Sequence, residues 1–190
     1  MNVFVLCTGR CGSVTFSQAC SHLTNFTSGH ETRSARIGPA RVDFPPNHIE
    51  VDNRLSWTLG SLAARWDPED VLYVHLKRDR DAVARSYLKR WNSSFRASII
   101  RAFGHGIVMR VRDWPEEQRL DVSRAYVDTV TANIDEFLRT RPSMTVQLED
   151  VETDFAEFLH RIGAKGDREA ALAEWSVRHN ASKTSSSDTE

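Results

Sequence analysis

The order of apolar segments predicts an α/β protein with a central parallel sheet flanked by helices. Short apolar runs at residues 3–7, 71–76 and 144–148 are typical of strands buried on both faces, and helical patterns follow each of them. Alternating strands and helices of this kind form a parallel sheet covered by helices. In such sheets ligands bind at the carboxyl ends of the strands, so the residues after each run are the candidates for a site.

The other elements complete this pattern in chain order. Residues 16–23 carry apolar side chains at helical spacing and predict a helix directly after the first strand. Residues 24–47 are rich in Gly, Pro and polar residues and predict a long loop, which a short strand at 48–52 follows. We expect further helices at residues 55–66, 81–91, 122–138, 151–162 and 167–179.

The length of 190 residues fits one domain. We assign residues 1–180 to it, with residues 92–118 as a cap region interrupted by Gly and Pro. Residues 181–190 form a polar segment that predicts a disordered tail.

The charge distribution favours a small anionic ligand. A formal net charge of -1 gives no reason to expect nucleic acid or an acidic membrane as partner. Residues 77–112, however, contain ten Lys and Arg against two Asp. This local excess suits a small polyanion better than a long one, and a solvated helix face is the alternative interpretation.

The apolar runs and the cysteines predict a cytoplasmic protein without a membrane span. No segment approaches the roughly 18 apolar residues that a membrane helix needs, and no basic region precedes the first apolar run. Cys7, Cys11 and Cys20 are odd in number and lack Cys-x-x-Cys spacing, which argues against zinc or a disulfide framework.

The first strand leads through the sequence LCTGRCGSVTF into a helix, an arrangement that suits an anion. A helix amino terminus offers unpaired N–H groups and partial positive charge. Gly9 and Gly12 permit a tight turn, Arg10 can bind oxygens in pairs, and Ser13 and Thr15 add hydroxyl donors. The segment matches neither the GxxxxGK[ST] nor the GxGxxG pattern. Taken alone, it is either an anion site or a tight structural turn.

A second basic motif follows a second buried strand. In VLYVHLKRDRDAVARSYLKR, Lys77 and Arg78 stand where the strand ends, and Ser86 lies eight residues after Arg78 in the next helix. Arg78 and Ser86 could both face one phosphate. Two anion motifs, each at the carboxyl end of a strand, are more specific than either motif alone.

Together, GRCGSVTF and VHLKRDRDAVARSYLKR resemble the two cofactor signatures of sulfotransferases that use 3′-phosphoadenosine 5′-phosphosulfate (PAPS). The resemblance implies a P-loop-like fold of the sulfotransferase and nucleotide-kinase type. It also implies that the first motif binds the 5′-phosphosulfate and the second the 3′-phosphate. It assigns the cofactor to Arg10, Cys11, Gly12, Ser13, Val14, Thr15, Arg78 and Ser86. Val14 departs from the family pattern, because a second hydroxyl often stands at that position.

The resemblance further implies transfer of a sulfuryl group from PAPS to a hydroxyl or amine, with 3′,5′-diphosphoadenosine (PAP) as product and no metal. Arg10 would stabilise the leaving phosphate. The acceptor, a small molecule or carbohydrate, would need a general base. Glu31 is the first candidate, since related carbohydrate sulfotransferases place a glutamate soon after the first helix, and Asp52 is the second.

Further polar residues of the loop and of the strand at residues 48–52 are also candidates for the site. His30 and His48 could act as the base, and Arg33 and Arg54 could contact an anionic acceptor. Each of these could equally be a surface residue.

Two other functions remain open. One is a nucleotide or phosphoryl-group kinase with a degenerate phosphate loop, which the missing Lys-Ser/Thr pair disfavours. The other is a non-catalytic PAP- or PAPS-binding protein, which Val14 keeps open. The sequence leaves the acceptor and the oligomeric state undetermined.

Overall fold

A computed structural model describes residues 1–93, 98–110 and 112–177. Its centre is a five-stranded, all-parallel sheet with the order β2-β3-β1-β4-β5. The strands are β1 (Asn2–Cys7), β2 (Thr27–His30), β3 (His48–Val51), β4 (Val71–Lys77) and β5 (Ser143–Gln147). The predicted α/β class with a central parallel sheet is therefore confirmed.

Strand β1 occupies the middle of the sheet, and all six of its residues are buried. It pairs with β3 on one side and with β4 on the other, bringing Val5 opposite Val51 and Cys7 opposite Leu76. Because every strand runs in the same direction, the segments that follow β1, β3 and β4 all emerge at the carboxyl end of the sheet. Both sequence motifs lie at that end.

Helices cover both faces of the sheet. They are α1 (Ser13–Cys20), α2 (Leu59–Arg65), α3 (Arg80–Leu88), α4 (Ser98–Arg101), α5 (Glu116–Leu138), α6 (Val151–Arg161) and α7 (Arg168–Ala173). A π-helix, Ala102–Ile107, follows α4 in the predicted cap region. No helix among the described residues is long and apolar enough to cross a membrane.

Each face of the sheet has its own hydrophobic core. On one face, Phe16 of α1 packs against Phe155 and Phe158 of α6, with ring centroids 5.1 and 5.0 Å apart. On the other face, Tyr126 of α5 packs against Tyr87 of α3 at 5.4 Å. The three cysteines are free and buried, as expected for packing residues.

Four predicted elements need correction. Residues 24–47 are not all loop, because they contain β2, an edge strand whose sequence TSGH has no large apolar residue. The helix predicted at 55–66 is instead a 3₁₀ turn, Asn53–Trp57, followed by α2. Helix α5 begins six residues earlier than predicted, directly after Pro115. The last predicted helix ends at Ala173, and a 3₁₀ turn follows it. Residues 178–190, which include the tail predicted to be disordered at 181–190, lie outside the described part of the chain.

Candidate functional site

The segment between β1 and α1, residues 8–12, forms a tight turn that we call the first loop. Gly9, Arg10 and Gly12 adopt φ angles of 78°, 63° and 90°. At Gly9 a side chain would also have no room, because a Cβ atom would lie 2.5 Å from Oη of Tyr87 and 2.9 Å from Nδ2 of Asn53. The turn therefore requires glycine at this position.

Two tyrosine hydroxyls form hydrogen bonds to the main chain of the first loop. The hydroxyls of Tyr87 and Tyr126 both donate to the carbonyl oxygen of Thr8, at 2.7 and 2.9 Å. Both rings are buried, and burial raises the pKa of each phenol above its ordinary value. The hydroxyls thus remain protonated donors, and they fix the main chain where β1 ends.

The amino terminus of α1 lies at the carboxyl end of the sheet, directly after the first loop. Gly12 is the N-cap residue, and no side chain caps the helix there. The first N–H with an intrahelical acceptor belongs to Phe16, which donates to the carbonyl of Gly12 at 2.9 Å. The N–H groups that precede it have no acceptor within the helix and can bind an anion.

The second motif contacts the first loop directly. Nη1 of Arg78 donates to the carbonyl oxygen of Arg10 at 3.0 Å, and Nε of Arg10 donates to Oγ of Ser86 at 3.1 Å. Burial, followed by the neighbouring guanidinium of Arg90, lowers the pKa of Arg10, and Arg78 adds to this effect. Three guanidinium groups lie close together here, and a bound anion would offset their mutual repulsion.

A cavity of about 130 Å³ lies between the first loop and the ends of β2 and β3. Across it, Nε2 of His30 lies 3.1 Å from Oγ of Ser13. Its lining residues are Gly9, Arg10, Ser13, Val14, His30, Glu31, Asn53, Arg54, Tyr87 and Ile99. The cavity thus joins the first loop to the region of the predicted base.

Three residues of the predicted cofactor loop differ in their exposure. Val14 lines the cavity, whereas Thr15 is buried with 8% of its surface exposed. Cys11 is fully buried, so it can meet a ligand only through its main chain. An apolar side chain therefore stands at the cavity wall, where the family pattern places a hydroxyl.

Glu31, the first candidate for the general base, lies at the wall of this cavity. It follows β2 with a φ angle of 54°, lines the cavity, and forms an ion pair in which Oε2 lies 2.6 Å from Nη1 of Arg54. Its side chain is 30% exposed and can reach an acceptor.

The other candidate bases have different surroundings. Asp52 is fully buried and accepts hydrogen bonds from Nη2 of Arg41 at 2.6 Å and from the N–H of Arg54 at 2.7 Å. Burial raises its pKa, although Arg41 acts in the opposite direction. His48 is the first residue of β3 and contacts Glu50, so it lies at the amino end of the sheet, opposite the end that carries the first loop. His30 shares the cavity with Glu31.

A second, larger cavity of about 340 Å³ lies beside Arg78, between α5 and the ends of β4 and β5. His75 lines it and its Nδ1 lies 2.9 Å from Oδ1 of Asp135, which also accepts from Lys77. Burial lowers the pKa of His75 to about 4, with Lys77 contributing and Asp135 opposing. Desolvation outweighs the ion pair because only 2% of the histidine is exposed.

Sequence reasoning missed the groups that support the first loop. Tyr126 falls within the helix predicted at residues 122–138, and nothing in the sequence marks it or Asn53 as part of the site. Tyr87 follows Ser86 in the second motif, so its position beside a phosphate site was the one available signal.

Comparison with protein-family models, curated proteins and solved structures found no match. Among the described residues, no group of three or more His, Cys, Asp and Glu side chains could hold a metal ion.

Proposed function

We propose that this protein is a sulfotransferase that uses PAPS to sulfate a hydroxyl or amine. The observation that carries the proposal is the direct contact between the two motifs: Arg78 bonds to the main chain of Arg10, and Arg10 bonds to Ser86. The 5′-phosphosulfate and the 3′-phosphate of PAPS are attached to one ribose. Two anion sites for this nucleotide must therefore adjoin, and these two motifs, far apart in the sequence, do.

The donor set fits such a ligand. The uncapped amino terminus of α1 and the hydroxyl of Ser13 can bind the 5′ group. The guanidinium of Arg78 and the hydroxyl of Ser86 can bind the 3′-phosphate. Arg10, which contacts both Arg78 and Ser86, would adjoin both groups. The order of the parallel strands, with the loop-bearing β1 in the centre, supports a P-loop-like architecture.

The reaction requires positioning and charge stabilisation more than covalent catalysis by the protein. When bound, PAPS supplies a sulfuryl group whose bond to the phosphate oxygen breaks as the acceptor oxygen bonds to sulfur. Arg10 would stabilise the negative charge on the leaving phosphate. Glu31 would accept the proton of the acceptor hydroxyl, and His30, opposite Ser13 in the same cavity, is the alternative base.

Calorimetric titration with PAP tests the nucleotide site. We expect PAP to bind more tightly than adenosine 5′-phosphate, which lacks the 3′-phosphate, and more tightly than ADP or ATP with magnesium. Arg78→Ala should weaken PAP binding by roughly 10- to 100-fold, because a charge-assisted phosphate contact is lost. A preference for ATP with magnesium would instead favour a kinase.

A turnover assay with PAPS tests the catalytic assignment. Glu31→Gln should leave PAP affinity unchanged and slow transfer by roughly 10²–10⁴-fold. If transfer persists, Glu31 is not the base, and His30 and Asp52 are the next to replace. PAP binding without turnover on any acceptor would favour a non-catalytic binding protein.

A further inference from the structure

The Glu31–Arg54 ion pair stands at the wall of the smaller cavity, where an acceptor would enter. Nη1 of Arg54 lies 2.6 Å from Oε2 of Glu31. The two side chains are 36% and 30% exposed, so a ligand can reach both. The guanidinium of Arg54 is therefore already paired with a carboxylate of the protein, that of Glu31.

A buried pair fixes the main chain of Arg54 and leaves its side chain free to exchange partners. The N–H of Arg54 donates to Oδ1 of Asp52 at 2.7 Å, and Arg41 holds the other carboxylate oxygen at 2.6 Å. Asp52 is fully buried and Arg41 is 8% exposed. The base of Arg54 is thus rigid, whereas the ion pair at its tip is partly solvated and weak.

The charges at this wall favour an anion. Of the described residues that line the cavity, Glu31 is the single carboxylate, whereas Arg10 and Arg54 supply two guanidinium groups. With Arg10 committed to the nucleotide, Arg54 is the cation that remains for an acceptor.

We propose that the acceptor carries a carboxylate, and that Arg54 binds this carboxylate in exchange for Glu31. The inference rests on the proposed sulfotransferase function and names its substrate class. The planar guanidinium suits a planar carboxylate, and the ligand's carboxylate would take the position of the Glu31 side chain. Release from Arg54 leaves Glu31 free to accept a proton. A neutral acceptor offers Arg54 nothing in return, so Arg54 determines specificity.

Two matched pairs of probes test the inference. They are 4-nitrophenyl β-D-glucuronide with 4-nitrophenyl β-D-glucoside, and 4-hydroxybenzoate with 4-hydroxybenzamide. Within each pair a carboxylate replaces a neutral group. We expect at least one carboxylate to bind about tenfold more tightly than its neutral partner, measured by calorimetry, as a charge-assisted hydrogen bond provides.

Three variants separate exchange from a merely structural ion pair. Arg54→Gln should abolish the carboxylate preference, whereas Glu31→Gln should strengthen carboxylate binding because it removes the internal competitor. A structural ion pair predicts that both variants weaken binding or leave it unchanged. Arg65→Gln is the charge-matched control, since Arg65 pairs with Asp43 on an exposed surface and should retain the preference.

The probes are titrated with and without PAP, so that the two proposals can fail separately. Absence of PAP binding overturns the nucleotide site. Equal affinity for the carboxylate and the neutral member of both pairs, or a preference that survives Arg54→Gln, overturns the carboxylate acceptor and leaves the nucleotide site standing.

Discussion

The two hydroxyls that meet at the Thr8 carbonyl should show strong energetic coupling. Replacing Tyr87 or Tyr126 by Phe removes one donor and leaves the other bond, at 2.9 or 2.7 Å, in place. Each single variant should therefore lose about 1 kcal/mol of unfolding free energy, the net value of one hydrogen bond.

The double variant leaves a buried carbonyl oxygen without either donor. Thr8 is 7% exposed, so water replaces the tyrosines poorly, and the desolvation penalty of roughly 1–3 kcal/mol is added. The double variant should thus lose about 3–5 kcal/mol, more than the sum of the single losses. Because the carbonyl precedes the first loop, PAP affinity should fall with it.

Urea unfolding followed by tryptophan fluorescence measures the four free energies of this cycle. A matched control combines Tyr87→Phe with Tyr73→Phe, since Tyr73 packs against Phe137 near the start of β4, away from Thr8. The control pair should be additive. Additivity of the Tyr87 and Tyr126 changes within about 0.5 kcal/mol would refute the shared-carbonyl argument.

Three further perturbations follow from the structure. Gly9→Ala should destabilise the protein by more than about 2 kcal/mol in urea unfolding, because it combines a positive φ with a clash against Tyr87. As a control, Gly60→Ala adds a Cβ that meets no atom within 4 Å and should be neutral or stabilising by up to about 1 kcal/mol. Equal effects of the two substitutions would contradict this reasoning. Because the pKa of His75 is lowered to about 4 in the folded protein, the histidine of the unfolded state takes up a proton first as the pH falls. About 3 kcal/mol of unfolding free energy should therefore be lost between about pH 6.5 and pH 4. If His75→Gln leaves the slope of unfolding free energy against pH unchanged, His75 is not the cause. Phe16→Ala should lower the unfolding free energy by about 3–5 kcal/mol, measured by thermal or urea unfolding, because the ring is fully buried among aromatic neighbours. A loss below about 1 kcal/mol would show that neighbouring side chains move to fill the cavity.

The sequence predicted the strands that carry large apolar side chains and missed the one that does not. Strands β1, β3, β4 and β5 lie within one residue of the predicted ranges at each end. Strand β2 is an edge strand of Thr, Ser, Gly and His, and its pairing with β3 gives it strand geometry without an apolar pattern. Periodicity records burial, and this strand has little to bury.

The site was predictable where chemistry follows a strand and unpredictable where it depends on side-chain packing. The sequence alone predicts Arg10 and Arg78 at strand ends and Ser86 in the helix that follows, and the structure brings the three residues into contact. That Asp52 is engaged by Arg41 could not be read from the sequence, because the loop that carries Arg41 has no periodic pattern. The contact follows only from how this loop folds back over β3.

The central position of β1 has a consequence for biosynthesis. Among the described strands β1 is made first, yet its two neighbours are completed only when residues 48–51 and 71–77 have been added. Until then an apolar strand, NVFVLC, has two unpaired edges, and such segments readily join those of other chains. Long-range parallel pairing also forms slowly. Nascent chains that stall before residues 71–77 have left the ribosome should therefore aggregate or recruit chaperones, whereas longer chains can pair both edges of β1.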